Sequence, residues 1–454
     1  MSTSAAAMED SPAAPRHLHR VLGLGFGLAI GVGSMIGSGI LRTPGAVAEG
    51  LPDASLLMLL WLMGGLHALL GANVVAELMT SIPKTGGLYV PSRRAFGDFG
   101  GILVGWTDFL LNAAGVAALA IASAEFLAIL APDLRAHITG AALGLLLLFI
   151  GLNWIGIKEG SATQQIGSLL KFVTLCLLIG TIFIAVPQAA RPAGETAALS
   201  PMAVLVGYQM VYGAFSGWTN PIYFTEEDRK PTRNLPRALI FSILLVTATY
   251  LAMNAALLWA LPVAELARSD IPVETIVTGL AGPTGTLVVG AVGSVIVISC
   301  LNGLVMAIPR VLYGLGRDGL FPAVATQVNR GGTPYAALAI SAIVAGTMVM
   351  SGGFETVFLM MGALTIFAFV MTDVTIFVLR RREPDLPRPF RAIGYPWLPA
   401  LLLLLDTILL VAFIAADPAS GLFMAALISI AIPIAFLLGR RRGDPAAAAA
   451  TPDP

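Results

Sequence analysis

Gly33-Ser34-Met35-Ile36-Gly37-Ser38-Gly39 lies inside the first long apolar run of the chain, where an unbroken helix would otherwise be expected. Gly31 stands just before it. Each glycine costs a helix about 1 kcal/mol relative to alanine, so the cluster weakens the helix in the middle of the run. The same small residues also suit a close-packing face, with Gly33 and Gly37 one turn apart. Taken alone, the stretch allows both readings.

The solvent around it decides how much the weakness matters. The chain has 454 residues, 57% of them hydrophobic and only 11% charged, with mean hydropathy +0.86. Soluble domains carry about 25% charged residues. A membrane span needs about 20 mostly apolar residues, and such runs follow one another along nearly the whole chain. We place twelve spans: 21–49, 54–80, 99–130, 138–156, 161–187, 202–226, 236–261, 284–315, 335–351, 355–379, 397–415 and 420–439. The fold expected is therefore all-α and integral to the membrane. Residues 1–20 and 440–454 read as tails, and 380–396 as a loop ahead of the last two spans. No cleavable signal peptide is evident, because the first apolar run is a full span.

Charge sets the orientation. Arg42 and Lys171 fall within spans, and Arg135, Arg191 and Arg268 fall in loops on one side. All other lysines and arginines lie on or next to the opposite side, including Arg229, Lys230, Arg233 and Arg237, then Arg380 to Arg382 and Arg440 to Arg442. This asymmetry predicts both termini in the cytoplasm of a cell carrying the protein in its inner membrane.

Other classes fall away. Basic and acidic residues balance at 26 each, which excludes a strongly basic nucleic-acid binder. No G-x-x-x-x-G-K-[ST] loop is present for nucleotide hydrolysis. Four histidines and two cysteines form no metal-ligand pattern, and no cofactor is implied. Cys176 and Cys300 sit in apolar runs as small hydrophobes. An enzyme would need a catalytic constellation at mid-membrane, and none is seen. No S4-type arginine repeat or channel filter is visible.

A second interruption lies in span 6, Gly213-Ala214-Phe215-Ser216-Gly217-Trp218-Thr219-Asn220-Pro221. It ends in a proline that disrupts a continuing helix. Backbone polar groups in hydrocarbon must be paired, so helices open there only beside a cavity or a ligand. Matching breaks in spans 1 and 6 point to an inverted-repeat secondary transporter, with 21–187 and 202–379 as repeats of five helices and 397–439 appended. The freed amides of Gly37, Ser38 and Gly39 head a helix and suit an anion. Freed carbonyls around Ile36, and around Phe215 and Ser216, suit an ammonium. Together they fit a zwitterion, an α-amino acid.

At these residues the chain resembles the amino acid–polyamine–organocation (APC) transporter family. Gly37-Ser38-Gly39-Ile40 with Pro44-Gly45 is similar to its helix 1 motif. Ala76-Glu77-Leu78 followed by Pro83-Lys84-Thr85-Gly86-Gly87-Leu88-Tyr89 is similar to its helix 2 end and first inner loop. Ser216-Gly217-Trp218, Thr225-Glu226-Glu227 and Arg233-Asn234-Leu235-Pro236-Arg237 resemble helix 6 and its loop, most like the L-type amino acid transporter subgroup. Arg310-Val311-Leu312-Tyr313 with Arg317-Asp318-Gly319-Leu320-Phe321-Pro322, and Arg388-Pro389-Phe390-Arg391 with Tyr395-Pro396, complete five motifs in family order. The resemblance implies a leucine-transporter-type fold. The substrate carboxylate would sit on helix 1 amides and its amine on helix 1 and 6 carbonyls. The chain departs from the subgroup at Gly213, where an aromatic gate commonly stands; Phe215 or Tyr212 would then close the site, or the pocket is differently gated.

Lys171, about ten residues into span 5, is the other singular feature. Near an interface a lysine snorkels. By the resemblance, its ammonium stands where a sodium ion sits in sodium-coupled relatives, with the Gly33 carbonyl and Ser299 as partners. It would either exchange a proton during the cycle or act as a permanent cation. Asn112 faces the pocket by the family pattern, or is interhelical glue; Asn302 is similar. Arg42 is a gate or a snorkelling residue. His67 reads as a packed histidine rather than a proton relay, Glu77 and Asp108 as structural, and Glu125 and Asp373 as wetted near span ends. The run 226–230 is a gate network or a solvated loop.

The function expected is sodium-independent transport of amino acids, by proton symport or exchange. With no acidic residue evident for a cationic side chain, neutral L-amino acids are favoured. Amino acid/polyamine antiport of cationic substrates, or a non-transporting sensor, are the alternatives.

Overall fold

The structure is a computed structural model. It describes residues 17–419 apart from 52, 190–199 and 352–353, together with isolated positions between 421 and 433; the side chains of 354–361 are not described. The expected twelfth span, both tails and Arg191 therefore lie wholly or largely outside the described residues.

The described chain is helical throughout. In order the helices are α1 Leu24–Met35, α2 Gly39–Gly50, α3 Ala54–Ser81, α4 Tyr89–Leu130, α5 Ile138–Ile155, α6 Ile157–Ala185 and α7 Pro201–Ala214. Then follow α8 Pro231–Ala260, the short α9 Val263–Leu266 and α10 Pro272–Ala281, α11 Pro283–Arg317, α12 Tyr335–Ser351, α13 Phe354–Arg382 and α14 Trp397–Ala416. Among the described residues, nine helical segments are long and apolar enough to cross a membrane, α1 and α2 counting together as one. The shorter α7 and α12 stand at the expected sixth and ninth spans. Asp53 starts α3 by accepting from the Leu56 amide at 2.8 Å.

Burial separates centre from rim. The apolar windows of α4 and α11 are each 72% buried, against 22% for α5 and α14. α4 packs along α11 and α13, and α1 packs on α8, α6 and α11. Rim helices turn bare apolar side chains outward, with Ile184 88% and Ile166 68% exposed. Only a hydrocarbon solvent makes such a surface favourable. The protein is a multi-pass membrane protein.

Two elements differ from the sequence expectation. Span 6 does not continue as an α-helix: α7 stops at Ala214, and after a turn the chain forms only a 3₁₀ helix, Asn220–Phe224. Gly217 at φ +96° and Pro221 together prevent regular helix. Span 3 starts ten residues early, because α4 begins at Tyr89 and bends at Gly97, φ +72°.

Candidate functional site

The first break lies between α1 and α2. Its start is set by packing: a Cβ on Gly31 would stand 2.6 Å from Ser242 Oγ, and one on Gly33 would collide with Ser168 and Gln164. These two glycines pack α1 onto α8 and α6. Gly37, Ser38 and Gly39 do the other job. Ile36 has left helical geometry with ψ 89°, and the next regular bonds are those of Leu41 and Arg42 to the Ser38 carbonyl. Among the described residues the amides of Gly37, Ser38 and Gly39 meet no acceptor. They point positive charge at the gap.

The second break touches the first. A Cβ on Gly217 would lie 2.8 Å from the Ser34 carbonyl oxygen, and one on Gly39 would lie 3.2 Å from Ala214 Cα. Asn220 Nδ2 donates to Ser34 Oγ at 2.7 Å. Tyr250 of α8 reaches both helix ends: its hydroxyl lies 2.6 Å from the Met35 carbonyl and 3.1 Å from that of Ala214. Phe215 is buried against Tyr250 and Trp61, with ring centroids 5.0 and 6.2 Å away. The Ser216 amide bonds back to the Gly213 carbonyl at 3.1 Å. The carbonyls of Phe215 and Ser216 meet no donor among the described residues. Tyr212, a candidate gate, faces elsewhere, edge-on to His67 at 5.0 Å.

Lys171 is fully buried. Its Nζ donates to the Gly33 carbonyl at 2.6 Å and the Ile36 carbonyl at 2.9 Å, and lies 3.1 Å from Cys300 Sγ. It does not snorkel. Cys300 Sγ itself lies 3.1 Å from both carbonyls. Two corrections follow. Ser299, the partner expected on the eighth span, is not at the lysine; it faces Gly167, and its Oγ has no partner among the described residues. The Ile36 carbonyl, expected to receive an ammonium from outside the protein, is held by the ammonium of Lys171. One residue along a helix is a turn of about 100°, so Cys300 occupies the face that Ser299 leaves.

Asn112 joins a second cluster. It donates to the Asp108 carbonyl at 2.7 Å and Asp108 Oδ1 at 3.0 Å, and lies 3.1 Å from the Tyr223 hydroxyl. Tyr223 donates to Asp108 Oδ1 at 2.6 Å. These bonds clamp α4 to the 3₁₀ segment after the second break. Asn302 bonds Gln164 at 2.9 Å and accepts from Asn153 at 3.0 Å. Through Ser168, which donates to the Ala29 carbonyl at 2.7 Å, this thread joins α5, α11, α6 and α1.

Within the run 226–230 the acidic residues are built into the arginine-rich end of the bundle, while Arg229 and Lys230 are exposed. Glu227 accepts two bonds from Arg310, both 2.8 Å, with both side chains buried. Glu226 pairs with Arg317, which also meets Asp318, and Asp318 meets Arg93 at 3.1 Å. Glu77 accepts from Arg380 and the Ala392 amide and lies 3.3 Å from Arg388, tying α3 to the loop before α14. The Arg94 guanidinium holds the half-buried Glu383 carboxyl below the usual carboxylate range. At the opposite end, Arg42 and Glu125 form a half-exposed pair at 3.6 Å. Asp373, expected near water, is buried in α13 beside Asp406 of α14. Tyr250, Cys300 and Asp406 are the residues that sequence reasoning missed.

The two helix breaks thus meet, with unbonded amides on one, unbonded carbonyls on the other and a buried ammonium on the Gly33 and Ile36 carbonyls. The amino acid permease family pattern matches residues 26–436. The chain belongs to that family. It is similar to the serine/threonine exchanger SteT of Bacillus subtilis, 28% identical over 85% of this chain and 89% of that one. It is also similar to the branched-chain amino acid permease BcaP of Bacillus subtilis, 27% identical over 86% and 87%. A third relative is the human large neutral amino acids transporter small subunit 2, 28% identical over 92% and 80%. This permease is a secondary active transporter that moves amino acids across a membrane.

Proposed function

We propose that this permease carries neutral L-amino acids by alternating access, independently of sodium, and that it is built as two inverted five-helix repeats, 21–187 and 202–379. The substrate carboxylate rests on the amides of Gly37, Ser38 and Gly39. Its ammonium rests on the carbonyls of Phe215 and Ser216, since Lys171 already occupies that of Ile36. Gly213 leaves room beside the second break for the side chain, with Asn112 at the α4 wall. Lys171, with Gly33 and Cys300, supplies the fixed positive charge that a coupling cation would otherwise bring. Ser299 serves only to pack α11 on α6.

The observation that carries this reading is the 2.6 Å bond from Lys171 to the Gly33 carbonyl, next to three unbonded amides. The arginine-rich end is read as cytoplasmic on the positive-inside rule, which puts the ion pairs of Glu226 and Glu227 beneath the site as the inner gate. The helix 6 motif and its loop support an L-type assignment within the family. Purified protein in liposomes, loaded in turn with each amino acid and assayed for counterflow with sodium omitted, tests the proposal. Saturable, stereoselective counterflow of neutral L-amino acids is expected. Flux confined to cationic substrates, or no flux across the panel, refutes it.

A further inference from the structure

Beside the second break lies a small cavity lined by His67 of α3, Tyr212 of α7, Asp373 of α13 and Asp406 of α14. His67, Asp373 and Asp406 are only 5%, 3% and 2% exposed. Neither carboxyl is paired with lysine or arginine among the described residues. The substrate site uses none of these groups.

The hydrogen bonds fix where protons must be. His67 Nε2 lies 2.9 Å from Asp406 Oδ1, and Nδ1 lies 2.7 Å from the Tyr208 hydroxyl. Tyr212 lines the same cavity as Asp406. The Asp373 and Asp406 carboxyls contact each other, and Asp373 Oδ2 meets no donor among the described residues. An ionised carboxylate only accepts hydrogen bonds. Two in contact therefore need a proton between them. Asp406 already has His67 Nε2 at 2.9 Å, whereas Asp373 Oδ2 meets no donor among the described residues, so the proton is assigned to Asp373. His67, Tyr208 and Tyr212 are the other titratable groups facing the pair from α3 and α7. None of them can neutralise two adjacent anions in a site this dry.

The same cavity is walled by Phe215, Ser216 and Trp218 of the second break. Trp218 stacks on Phe369 with centroids 5.4 Å apart and planes 14° apart. Phe369 is one helical turn before Asp373 on α13. Tyr208 and Tyr212 belong to α7, whose last carbonyl Tyr250 holds. A change of charge at Asp373 thus acts on both sides of the second break at once.

We propose that the Asp373–Asp406 pair is a proton-binding site, that Asp373 carries the exchangeable proton, and that its occupancy couples a proton to the movement of the second helix break. Protonated, the pair holds α13 against α14 and keeps Trp218 seated on Phe369. When the proton leaves to water, two neighbouring carboxylates repel, the α13–α14 contact loosens and the break is released. Occupancy at one locus biases a two-state element. The proposal rests on the transport reading for its flux measurement alone.

The test uses the full chain. Infrared spectroscopy in detergent should find a buried protonated carboxyl band in the native protein that weakens on raising pH and is missing in Asp373→Asn. In liposomes, an imposed inward proton gradient should speed amino acid uptake about fivefold or more. Asp373→Asn should lose that stimulation while keeping counterflow at equal pH, and His67→Gln should shift its pH dependence. Stimulation that survives in Asp373→Asn overturns the proposal. So does a native protein that transports yet shows neither the band nor the stimulation; the transport reading then stands without it. A native protein that shows the band but carries no amino acid sinks the transport reading and leaves the proton site. Should Asp373→Asn fail to fold, the pH titration of the native band decides: a band that is absent or never titrates counts against the site.

Discussion

Lys171 Nζ and the Gly33 carbonyl oxygen stand 2.6 Å apart at the point where α1 ends, and no other lysine of this permease is fully buried. The bond replaces helix hydrogen bonds that the glycine cluster gives up. It also puts a positive charge on the carbonyl of Ile36, immediately before the three unbonded amides. Replacing Lys171 with alanine leaves the Gly33 and Ile36 carbonyls to the single weak S–H of Cys300, so that one of them is stranded at a penalty of about 1–3 kcal/mol. The Lys171→Ala protein is expected to remain folded with a lowered melting temperature and to lose most of its counterflow. Size-exclusion chromatography with a liposome assay reads both, and unchanged flux would remove the lysine from the mechanism.

Tyr250 offers a gentler perturbation. Tyr250→Phe keeps the ring that packs on Trp61 at 5.3 Å and deletes only the hydroxyl. One net hydrogen bond is worth about 1 kcal/mol, so folding should survive. The KM for amino acids should rise several-fold in uptake assays, since two carbonyls beside the proposed ammonium site lose their common donor. An unaltered KM would place Tyr250 in packing alone.

Gly217 is the position where backbone geometry leaves no freedom. At φ +96° an added methyl is strained, and it would also meet the Ser34 carbonyl at 2.8 Å. A non-glycine residue in such a conformation costs about 1–3 kcal/mol. Gly217→Ala should push the two breaks apart and depress transport far more than Gly144→Ala, where a Cβ meets nothing within 4 Å. Parallel uptake measurements at matched expression make the comparison.

The breaks were legible in sequence because glycine, serine and proline act locally, without help from tertiary partners. Lys171 was legible because a charge amid apolar residues is rare. Its partner was misplaced by one residue, since sequence alone does not fix the rotation of α11 about its axis. Asp373 was misjudged because α13 runs on to Arg382, which carries that carboxyl deeper than the expected end at 379. Asp406 had a signal of its own: it directly follows Leu401-Leu402-Leu403-Leu404-Leu405, a lone acid in an apolar span. Tyr250 had none, because a tyrosine in a span reads like any large apolar residue until its hydroxyl is placed.

The Glu227–Arg310 pair predicts a double-mutant pattern. Both side chains are buried, and Arg310 also lies over the Phe224 ring at 4.5 Å. Removing one partner of such a pair costs about 3–5 kcal/mol, while replacing both with apolar residues is often neutral. Arg310→Met alone should lower the melting temperature steeply. Adding Glu227→Leu should restore much of it, as thermal unfolding in detergent would report. If the double variant is no better than the single, the arginine contributes through its own packing and not through the ion pair.

A phenol has one hydrogen, and Tyr250 stands between two oxygens, those of Met35 and Ala214. One of the two helix ends is therefore always a hydrogen short. A primary ammonium brings three, enough for Phe215, Ser216 and whichever oxygen Tyr250 is not serving. Cargo would then be graded by counting: each methyl placed on the amino nitrogen removes a hydrogen that the site has an oxygen waiting for. The permease would tell an amino acid from its N-methylated relatives without any side chain dedicated to that choice.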